Sequence, residues 1–434
     1  MALSQPTAPL TGAAQAVPTA TTPPPAGREP RSYLPFLGLA NLGVYMALLT
    51  PVMVSMAFKI DHLVGADAAP AALGTVMGVG ALFALICNPL AGRLSDRTTS
   101  RLGMRRPWIL GGAVVGAAAL TVVGTAQSVA LVLVGWCVAQ AAFNTVLAAA
   151  NATIPDQVPV ERRGKVSGLV GMATPLAILL GSVIVNRISA DAARFIVPAA
   201  LGLIFSLLFA AVLRDRRLDQ APAQRFTVGQ FFGSFVFNPR KHPDFGWTWL
   251  TKFMVMFGYA GIATFLPYYL VGKFDLSEQE ATGVILTATF ASVVGMVISS
   301  PVGGILSDRF GKRRPFVAAA GAIMAVGLVI LAFAPTIALV VLGQAVIGLG
   351  AGAFFSVDIA LATQVLPNKD DTAKDLGVLN IANALPQSLA PAMAPAILAV
   401  GATLPMGEYP TWYLFGAVVA LAGSVLVYRI KGVR

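Results

Sequence analysis

The sequence predicts an all-helical membrane protein whose twelve transmembrane helices form two six-helix bundles. Hydrophobic residues make up 56% of the chain and charged residues only 11%, whereas a soluble domain carries about 25% charged residues. One short segment also occurs twice, as GRLSDR at Gly92–Arg97 and as GILSDR at Gly304–Arg309. Because the two copies lie about half a chain apart, they predict a duplicated bundle and not a solenoid of short repeats.

The apolar runs define the individual helices. A helix that crosses about 30 Å of hydrocarbon needs about 20 predominantly apolar residues. This criterion predicts twelve spans, within residues 33–58, 70–92, 108–126, 129–154, 167–187, 191–213, 246–271, 280–306, 316–334, 337–364, 376–403 and 410–430.

The segments between the spans divide the chain into four parts. Residues 1–32 are rich in Pro, Ala and Thr without an apolar core, which predicts a disordered cytoplasmic tail and no cleavable signal peptide. Residues 33–213 are predicted to form the N-terminal bundle and residues 246–434 the C-terminal bundle. Residues 214–245 are predicted to be a cytoplasmic linker that contains an amphipathic helix on the membrane surface.

Prolines extend the repeat beyond the loop. Matching prolines occur in or after corresponding spans of the two halves: Pro51 and Pro267, Pro159 and Pro367, and Pro175 and Pro386. Six helices repeated in the same orientation predict two halves related by an axis along the membrane normal, with a binding site between them.

Lysine and arginine determine the predicted orientation. With both termini in the cytoplasm, 25 of the 30 basic residues face the cytoplasm and four face outwards, while Lys252 lies within span 7. This bias is typical of the positive-inside rule. The net charge of +11 therefore reflects membrane topology and does not indicate nucleic-acid binding. We expect a multi-pass protein of the plasma membrane.

The repeated loops resemble those of a known family. The segment Gly304–Arg314, GILSDRFGKRR, resembles the loop signature of the major facilitator superfamily. The first copy, Ser95–Trp108, is similar to the loop of sucrose transporters and related glycoside cation symporters, and DQVP at Asp156–Pro159 strengthens the likeness. Span 1 lacks the carboxylate that the melibiose-type branch uses to hold sugar. The resemblance implies a major facilitator fold and transport by alternating access.

Charged residues in the two loops are candidates for a cytoplasmic gate. Asp96 and Asp308 stand at the ends of spans 2 and 8, where a carboxylate can pair with arginines and with helix N-termini of neighbouring spans. Such pairs would lock the cytoplasmic side in one state; alternatively, the arginines only anchor the loops at lipid headgroups. The predicted gate comprises Asp96, Arg97, Arg105, Arg106, Asp308, Arg309, Arg313 and Arg314.

Asp358 is the predicted proton-coupling residue. It is the one acidic residue in the interior of a predicted span, on the Gly-rich span 10. A charged group at mid-helix costs about 2.5–3.5 kcal/mol on insertion scales, so such residues usually face a functional cavity. The alternative is that Asp358 reaches cytoplasmic water near the end of the helix.

Polar stripes on several spans predict a central cavity. Amides and phenols hydrogen-bond hydroxyl groups, and aromatic faces suit sugar rings. The alternative for each residue is hydrogen bonding between helices. The substrate-binding candidates are Asn41 and Tyr45 in span 1, Gln140 and Asn144 in span 4, Lys252 and Tyr259 in span 7, Gln344 in span 10, and Asn380 and Asn383 in span 11.

These features predict a secondary active transporter that imports a sugar or glycoside with a proton or sodium ion. One alternative is export of a drug or metabolite by proton antiport, and another is a scaffold or sensor that does not transport. We expect no enzymatic activity, because neither a phosphate-binding Gly-Lys loop nor a nucleophile–base pair is evident. No cofactor, metal site or nucleic-acid partner is expected, and the protein is expected to be a monomer in the bilayer.

Overall fold

A computed structural model describes residues 32–218, 237–362, 364–366 and 372–432. These residues form helices joined by short loops, without a strand among them. The predicted disordered tail and the amphipathic run of the predicted linker lie almost entirely outside the described residues.

The first half contains eight helical segments that make up six spans. They are α1 (Tyr33–Thr50), α2 (Met56–Val64), α3 (Ala69–Ser95), α4 (Arg106–Thr125), α5 (Val129–Gln157), α6 (Val160–Gly171), α7 (Ala173–Asn186) and α8 (Asp191–Val212). A single π-helical turn, Pro51–Ser55, joins α1 to α2, so that Tyr33–Val64 forms one span.

The second half contains six helices. They are α9 (Pro243–Phe274), α10 (Glu278–Phe310), α11 (Arg314–Phe333), α12 (Ile337–Ala362), α13 (Thr372–Ala402) and α14 (Glu408–Leu426). Eleven described helices are long and apolar enough to cross a membrane, and α9, which bends by 46° between Ile262 and Thr264, makes a twelfth. The predicted all-helical fold with twelve spans is confirmed.

Helix pairing repeats between the halves. In the first half α4 packs on α5, α3 on α5, α1 on α8, α4 on α8 and α1 on α7. The corresponding pairs in the second half are α11 with α12, α10 with α12, α9 with α14, α11 with α14 and α9 with α13. The duplicated sequence therefore folds into two bundles with the same internal arrangement.

Each bundle contributes four helices to the interface between the two halves. Contacts between halves join α3 to α13 and α7 to α10. In the first half α5 and α1 lie between α3 and α7, because α3 packs on α5, α5 on α1, and α1 on α7. In the second half α9 and α12 lie between α13 and α10 by the same chain of contacts. The middle of the interface is therefore formed by α1, α5, α9 and α12, which we call the middle helices.

Close approach of helices depends on glycine at several crossings. A Cβ atom on Gly348 would lie 2.0 Å from the carbonyl oxygen of Ser292, and one on Gly352 would lie 2.3 Å from that of Met296. These distances require glycine at both positions, which lets α12 pack directly against the backbone of α10, as small residues do in membrane bundles.

The outer surface of the bundles is apolar. Val297, Ile305 and Val418 each expose more than 60% of their surface. Further large apolar side chains are exposed on helices of both halves. Such a surface is typical of contact with lipid. We call the face with loops 96–105 and 308–313 the arginine-rich face, and the face with loops 187–190 and 275–277 the opposite face.

Candidate functional site

Asp358 and Lys252 form an ion pair between two of the middle helices. Lys252 Nζ donates to Asp358 Oδ2 across 2.7 Å, from α9 to α12. The side chains are 13% and 5% exposed, respectively. Asp358 is therefore buried in the protein and does not reach bulk water at the helix end, as the alternative interpretation required.

The sequence did not reveal that these two residues are partners. From the sequence, Lys252 and Tyr259 are substrate-binding candidates, while Asp358 is a proton-coupling residue without an assigned partner. The available signal was that each is a charged residue in the interior of a span, with opposite signs. Two such charges in hydrocarbon are usually paired.

Aromatic side chains lie on the same two helices. The rings of Tyr259 on α9 and Phe355 on α12 meet edge to face with centroids 6.1 Å apart. Tyr259 is half-buried. Gln344 lies nearer the start of α12 and is 8% exposed. Tyr259, Lys252 and Asp358 thus combine an aromatic ring with a charged pair at the interface.

The first half contributes a chain of amides. Asn144 Nδ2 donates to the carbonyl and side-chain oxygens of Gln140, at 2.8 and 3.1 Å, within α5. Asn88 on α3 donates to Asn144 Oδ1 at 3.4 Å. Gln140 and Asn144 therefore lie together as predicted, and Asn88 is a third member that sequence analysis did not single out.

Asn41 and Tyr45 lie on α1. Asn41 is fully buried; its Nδ2 donates to the carbonyl of Leu37 at 3.0 Å, while its Oδ1 has no hydrogen-bond partner among the described residues. Tyr45 is half-buried and shares a side-chain hydrogen bond with Thr174 on α7. Complete burial gives Asn41 less access to a solute than Tyr45.

The candidates Asn380 and Asn383 lie on α13, which flanks the middle helices at one side of the interface. Asn380 is exposed and Asn383 is half-buried, with its carbonyl accepting a bond from Gln387 Nε2 at 3.3 Å. Because α13 packs against α3 across the interface, these amides lie at the edge of the middle helices.

The first repeated loop is built around one buried arginine. Arg105 is 4% exposed and pairs with Asp96 in its own loop and with Asp156 at the end of α5, the latter at 3.3 Å. Its Nη1 also donates to Ser95 Oγ at 2.5 Å. One guanidinium therefore ties α3, α4 and α5 together.

Asp215 is a further member of the first loop that the sequence did not identify. Its Oδ2 accepts the backbone N–H groups of Arg105 and Arg106 at the start of α4, both at 2.7 Å. Burial raises the pKa of the Asp215 carboxyl, and the hydrogen bonds from these N–H groups oppose the rise. Arg106 itself donates to the carbonyl of Leu213. The segment after α8 thus caps α4.

The second loop makes fewer contacts. Arg313 pairs with Asp308 at 2.5 Å and donates to Ser307 Oγ at 2.8 Å, both on α10. Arg314 donates to the carbonyl of Lys431 at 2.7 Å, and Arg309 is exposed. In both copies the aspartate pairs with an arginine of its own loop.

Charged residues on the opposite face join the halves. Arg194 on α8 is 3% exposed and pairs with Glu278 on α10. His62 lies between Asp191 and Glu278, with Nδ1 2.7 Å from the first carboxylate and Nε2 3.3 Å from the second. His62 is not among the site residues that the sequence predicts.

Two neutral hydrogen bonds accompany this cluster. Gln279 Nε2 donates to the carbonyl of Asn186 at 2.6 Å, and the Tyr268 hydroxyl donates to the carbonyl of Ala57 at 2.7 Å. Both bonds cross from one half to the other. The described structure is therefore closed at the opposite face.

The chemistry available at the interface is binding and proton exchange. The Asp358 carboxylate, the Lys252 ammonium, several amides and aromatic rings lie on or next to the middle helices, a set suited to a hydroxylated solute and a proton. Within the described residues, no group of three or more His, Cys, Asp or Glu residues is arranged to hold a metal ion.

The model of the Major Facilitator Superfamily matches residues 35–299 and 248–433, which together cover nearly the whole chain. The two matches overlap over residues 248–299, at the start of the second half.

Several characterised proteins share parts of the sequence. The general alpha-glucoside permease of Schizosaccharomyces pombe is 24% identical over 183 residues, which are 36% of this chain and 33% of that protein. The proline/betaine transporter of Escherichia coli K12 is 29% identical over 176 residues, 40% of this chain and 33% of that protein. The multidrug resistance protein MdtG of Dickeya zeae is 25% identical over 293 residues, 66% of this chain and 68% of that protein. The chain thus matches about a third of the length of the first two relatives.

Solved structures share the fold. The nucleoside transporter NupG superposes with a TM-score of 0.73 at 14% identity, over 92% of this chain and 99% of that one. The D-xylose-proton symporter superposes with a TM-score of 0.68 at 15% identity, over 93% and 98% of the two chains.

Proposed function

The chain belongs to the major facilitator superfamily, and we propose that this membrane transporter carries a sugar or glycoside together with a proton. The buried pair of Asp358 and Lys252 carries the proposal. A carboxylate held between two middle helices can gain or lose a proton while the halves rearrange around it.

Neutral groups on the middle helices support a hydroxylated solute. Gln140, Asn144 and Tyr259 offer donors and acceptors for hydroxyl groups, and the rings of Tyr259 and Phe355 offer apolar faces. The alpha-glucoside permease and the D-xylose-proton symporter are relatives in sequence and in fold, respectively. Both are named for sugars or glycosides.

Orientation and domain boundaries are part of the proposal. The excess of lysine and arginine supports an orientation in which the arginine-rich face and both termini lie in the cytoplasm, in a protein of the plasma membrane. The two moving halves are then residues 33–213 and 246–434. The linker of residues 214–245 joins them, and the tail of residues 1–32 precedes the first half. Closure of the opposite face corresponds to an inward-facing state of a monomer.

Export by proton antiport is the second candidate. MdtG matches two thirds of its own length and is named for multidrug resistance. However, Asp358 is already paired with Lys252, and the other acids of the described middle helices, Asp156 and Asp244, lie at helix ends with partners of their own. The interface therefore offers little negative charge to a cationic drug, which favours import of a hydroxylated solute.

Uptake by the purified protein in liposomes tests the proposal. Labelled α-linked disaccharides should accumulate when the outside is made acidic, and a sodium gradient alone should not replace the pH gradient. A membrane potential of 100 mV acting on one proton provides about 2.3 kcal/mol, which supports about fiftyfold accumulation.

The variant Asp358→Asn separates coupling from binding. It should abolish uphill accumulation while preserving exchange of substrate across the membrane, because the asparagine cannot release a proton. Asp67→Asn, the same change on an exposed loop, is the matched control and should accumulate substrate normally. Accumulation by Asp358→Asn would refute proton coupling at this residue.

A further inference from the structure

The ion pair restricts the charge of the solute. Among the described residues, Lys252 Nζ has a single hydrogen-bond partner, the carboxylate of Asp358. Lys59, another lysine buried in a span, instead donates to the carbonyl of Gly124 at 3.0 Å, near the end of α4. A helix C-terminus holds a cation at any pH. Lys252 is held by a group that is neutralised when it binds a proton.

Protonation of Asp358 therefore affects Lys252. Removing one charge of a buried pair leaves the other uncompensated, which is strongly unfavourable in a low-dielectric interior. Other carboxylates on α9 and on the helices packed against it and against α12 have partners of their own. Asp244 accepts backbone N–H groups of Lys431 and Gly432, Asp308 pairs with Arg313, and the buried Asp375 on α13 has an interaction of its own. An anion from outside the protein would then neutralise the buried ammonium of Lys252.

We infer that the transported solute carries a carboxylate that replaces Asp358 on Lys252 while Asp358 takes up the transported proton. The net charge of the site is zero before binding, with the ammonium paired to Asp358. It is zero again afterwards, with the ammonium paired to the solute and Asp358 neutral. The new O–H bond at Asp358 uses a proton drawn from solvent. Proton and anion therefore bind together, and neither binds well alone.

This inference rests on the proposed function and specifies its substrate class. The amides and the aromatic pair still accommodate the hydroxyl groups and the ring. The best substrate is then an acidic sugar or its glycoside, such as a hexuronide. Neutral disaccharides are carried less well, because they leave Lys252 without an anion when Asp358 is protonated. The greater exposure of Lys252 compared with Asp358 is consistent with a solute that approaches the ammonium first.

A matched pair of probes tests the inference. Methyl α-D-glucuronide and methyl α-D-glucoside differ only at C6, where the first has a carboxylate and the second a CH2OH group. We expect the glucuronide to be taken up under the pH gradient and to bind about tenfold more tightly for each unit of pH lowered, with one proton bound per solute. Calorimetry in buffers of different ionisation enthalpy measures that proton.

Two variants separate the roles of the pair. Asp358→Asn should bind the glucuronide without proton uptake and without the pH dependence. The double variant Lys252→Met with Asp358→Asn removes both charges together, so that no buried charge is left unpaired and folding is preserved. It should lose the glucuronide and retain any binding of the neutral glucoside.

The outcomes distinguish this inference from the proposed function. Proton-driven uptake of the glucoside without binding of the glucuronide refutes the anionic substrate and leaves proton-coupled sugar transport standing. Glucuronide binding that persists in the double variant also refutes it. If neither the two probes nor the α-linked disaccharides are taken up, the result contradicts both the anionic substrate and proton-coupled sugar transport.

Discussion

Arg105 and Arg313 occupy equivalent places in two copies of one loop, but they are held very differently. Arg105 is 4% exposed and contacts Asp96, Ser95 and Asp156. Arg313 has a side chain that is 17% exposed, and its two bonds are both to α10. The first arginine joins three helices, and the second joins the start of α11 only to the helix before it.

The difference arises outside the repeated segment. Asp156 at the end of α5 corresponds to Gln364 after α12, which is exposed and carries no charge. Asp215 caps α4 from the segment after α8, while in the second half Asp244 binds the backbone of the C-terminal segment instead. A duplicated loop thus preserves its own residues, while its stability depends on partners that have diverged.

Removing the two arginines should give the largest contrast. Arg105→Ala leaves Asp156 without its partner and should lower the free energy of unfolding by about 3–5 kcal/mol, as expected for a broken buried pair. Arg313→Ala disrupts a more exposed pair and should cost at most about 1 kcal/mol. Unfolding of the two variants in the same detergent measures both values. Equal losses would show that burial of Arg105 contributes nothing.

Glycines in the loops provide a second matched test. Gly103 has a φ of +108°, and a Cβ atom there would lie 2.2 Å from Asp215 Oδ2. Gly311 has a φ of +60° with nothing within 4 Å of a Cβ atom. Gly311→Ala should cost about 1–2 kcal/mol for the left-handed backbone alone. Gly103→Ala should cost about 1–3 kcal/mol more, because Asp215 is displaced from two N–H groups.

The thermal midpoints of these glycine variants provide the measurement. The double variant Gly103→Ala with Asp215→Ala is the control, since it removes the clash and should recover part of the lost stability. A midpoint for Gly103→Ala equal to that of Gly311→Ala would contradict the proposed contact.

The comparison also shows what the sequence could predict. The repeat, the apolar runs and the matched prolines predicted twelve spans, and the helices end within a few residues of those expected, apart from span 1, which extends to Val64. Hydrophobic length determines them directly. The same prolines did not determine the local geometry: Pro51 begins a π-helical turn, whereas Pro267 follows a bend of 46°.

Side-chain partners were less predictable than helices. The two loops and Asp358 are apparent in the sequence, but the partner of Asp358 and the contacts of Asp215 and His62 are not. Each of these contacts joins residues more than 100 positions apart or on different helices, so that no local pattern records it. They depend on how the helices are rotated and tilted against one another.

The two aspartates should differ in their effect on the transport cycle. After Asp96→Asn, Arg105 still contacts Asp156 and Ser95, whereas after Asp308→Asn, Arg313 retains only Ser307. A change of about 1 kcal/mol in one state alters a rate about fivefold. We therefore expect Asp308→Asn to slow exchange by about that factor and Asp96→Asn to slow it less. Equilibrium affinity for substrate should stay the same in both variants.

Rates of substrate exchange in liposomes, compared with binding to the solubilised protein, test this expectation. A large loss of affinity with unchanged exchange would place the aspartates in substrate binding and not in gating. A greater effect of Asp96→Asn would show that the more extensively bonded loop is the one that opens.

The smallest effect is expected at the start of the chain, where the repeat has no second copy. Residues 1–28 contain many prolines and alanines and no apolar run, so they have little surface to bury against either bundle. Deleting them should leave the thermal midpoint and the initial rate of uptake unchanged. Arg31 remains in that variant and preserves a positive charge before α1. The deletion could instead slow uptake. If a Gly/Ser sequence of equal length in place of residues 1–28 then restores the rate of the full-length protein, the tail acts through its length. If only the native sequence restores the rate, the tail makes specific contacts, and the gating difference between the two loops has to be measured again with those contacts removed.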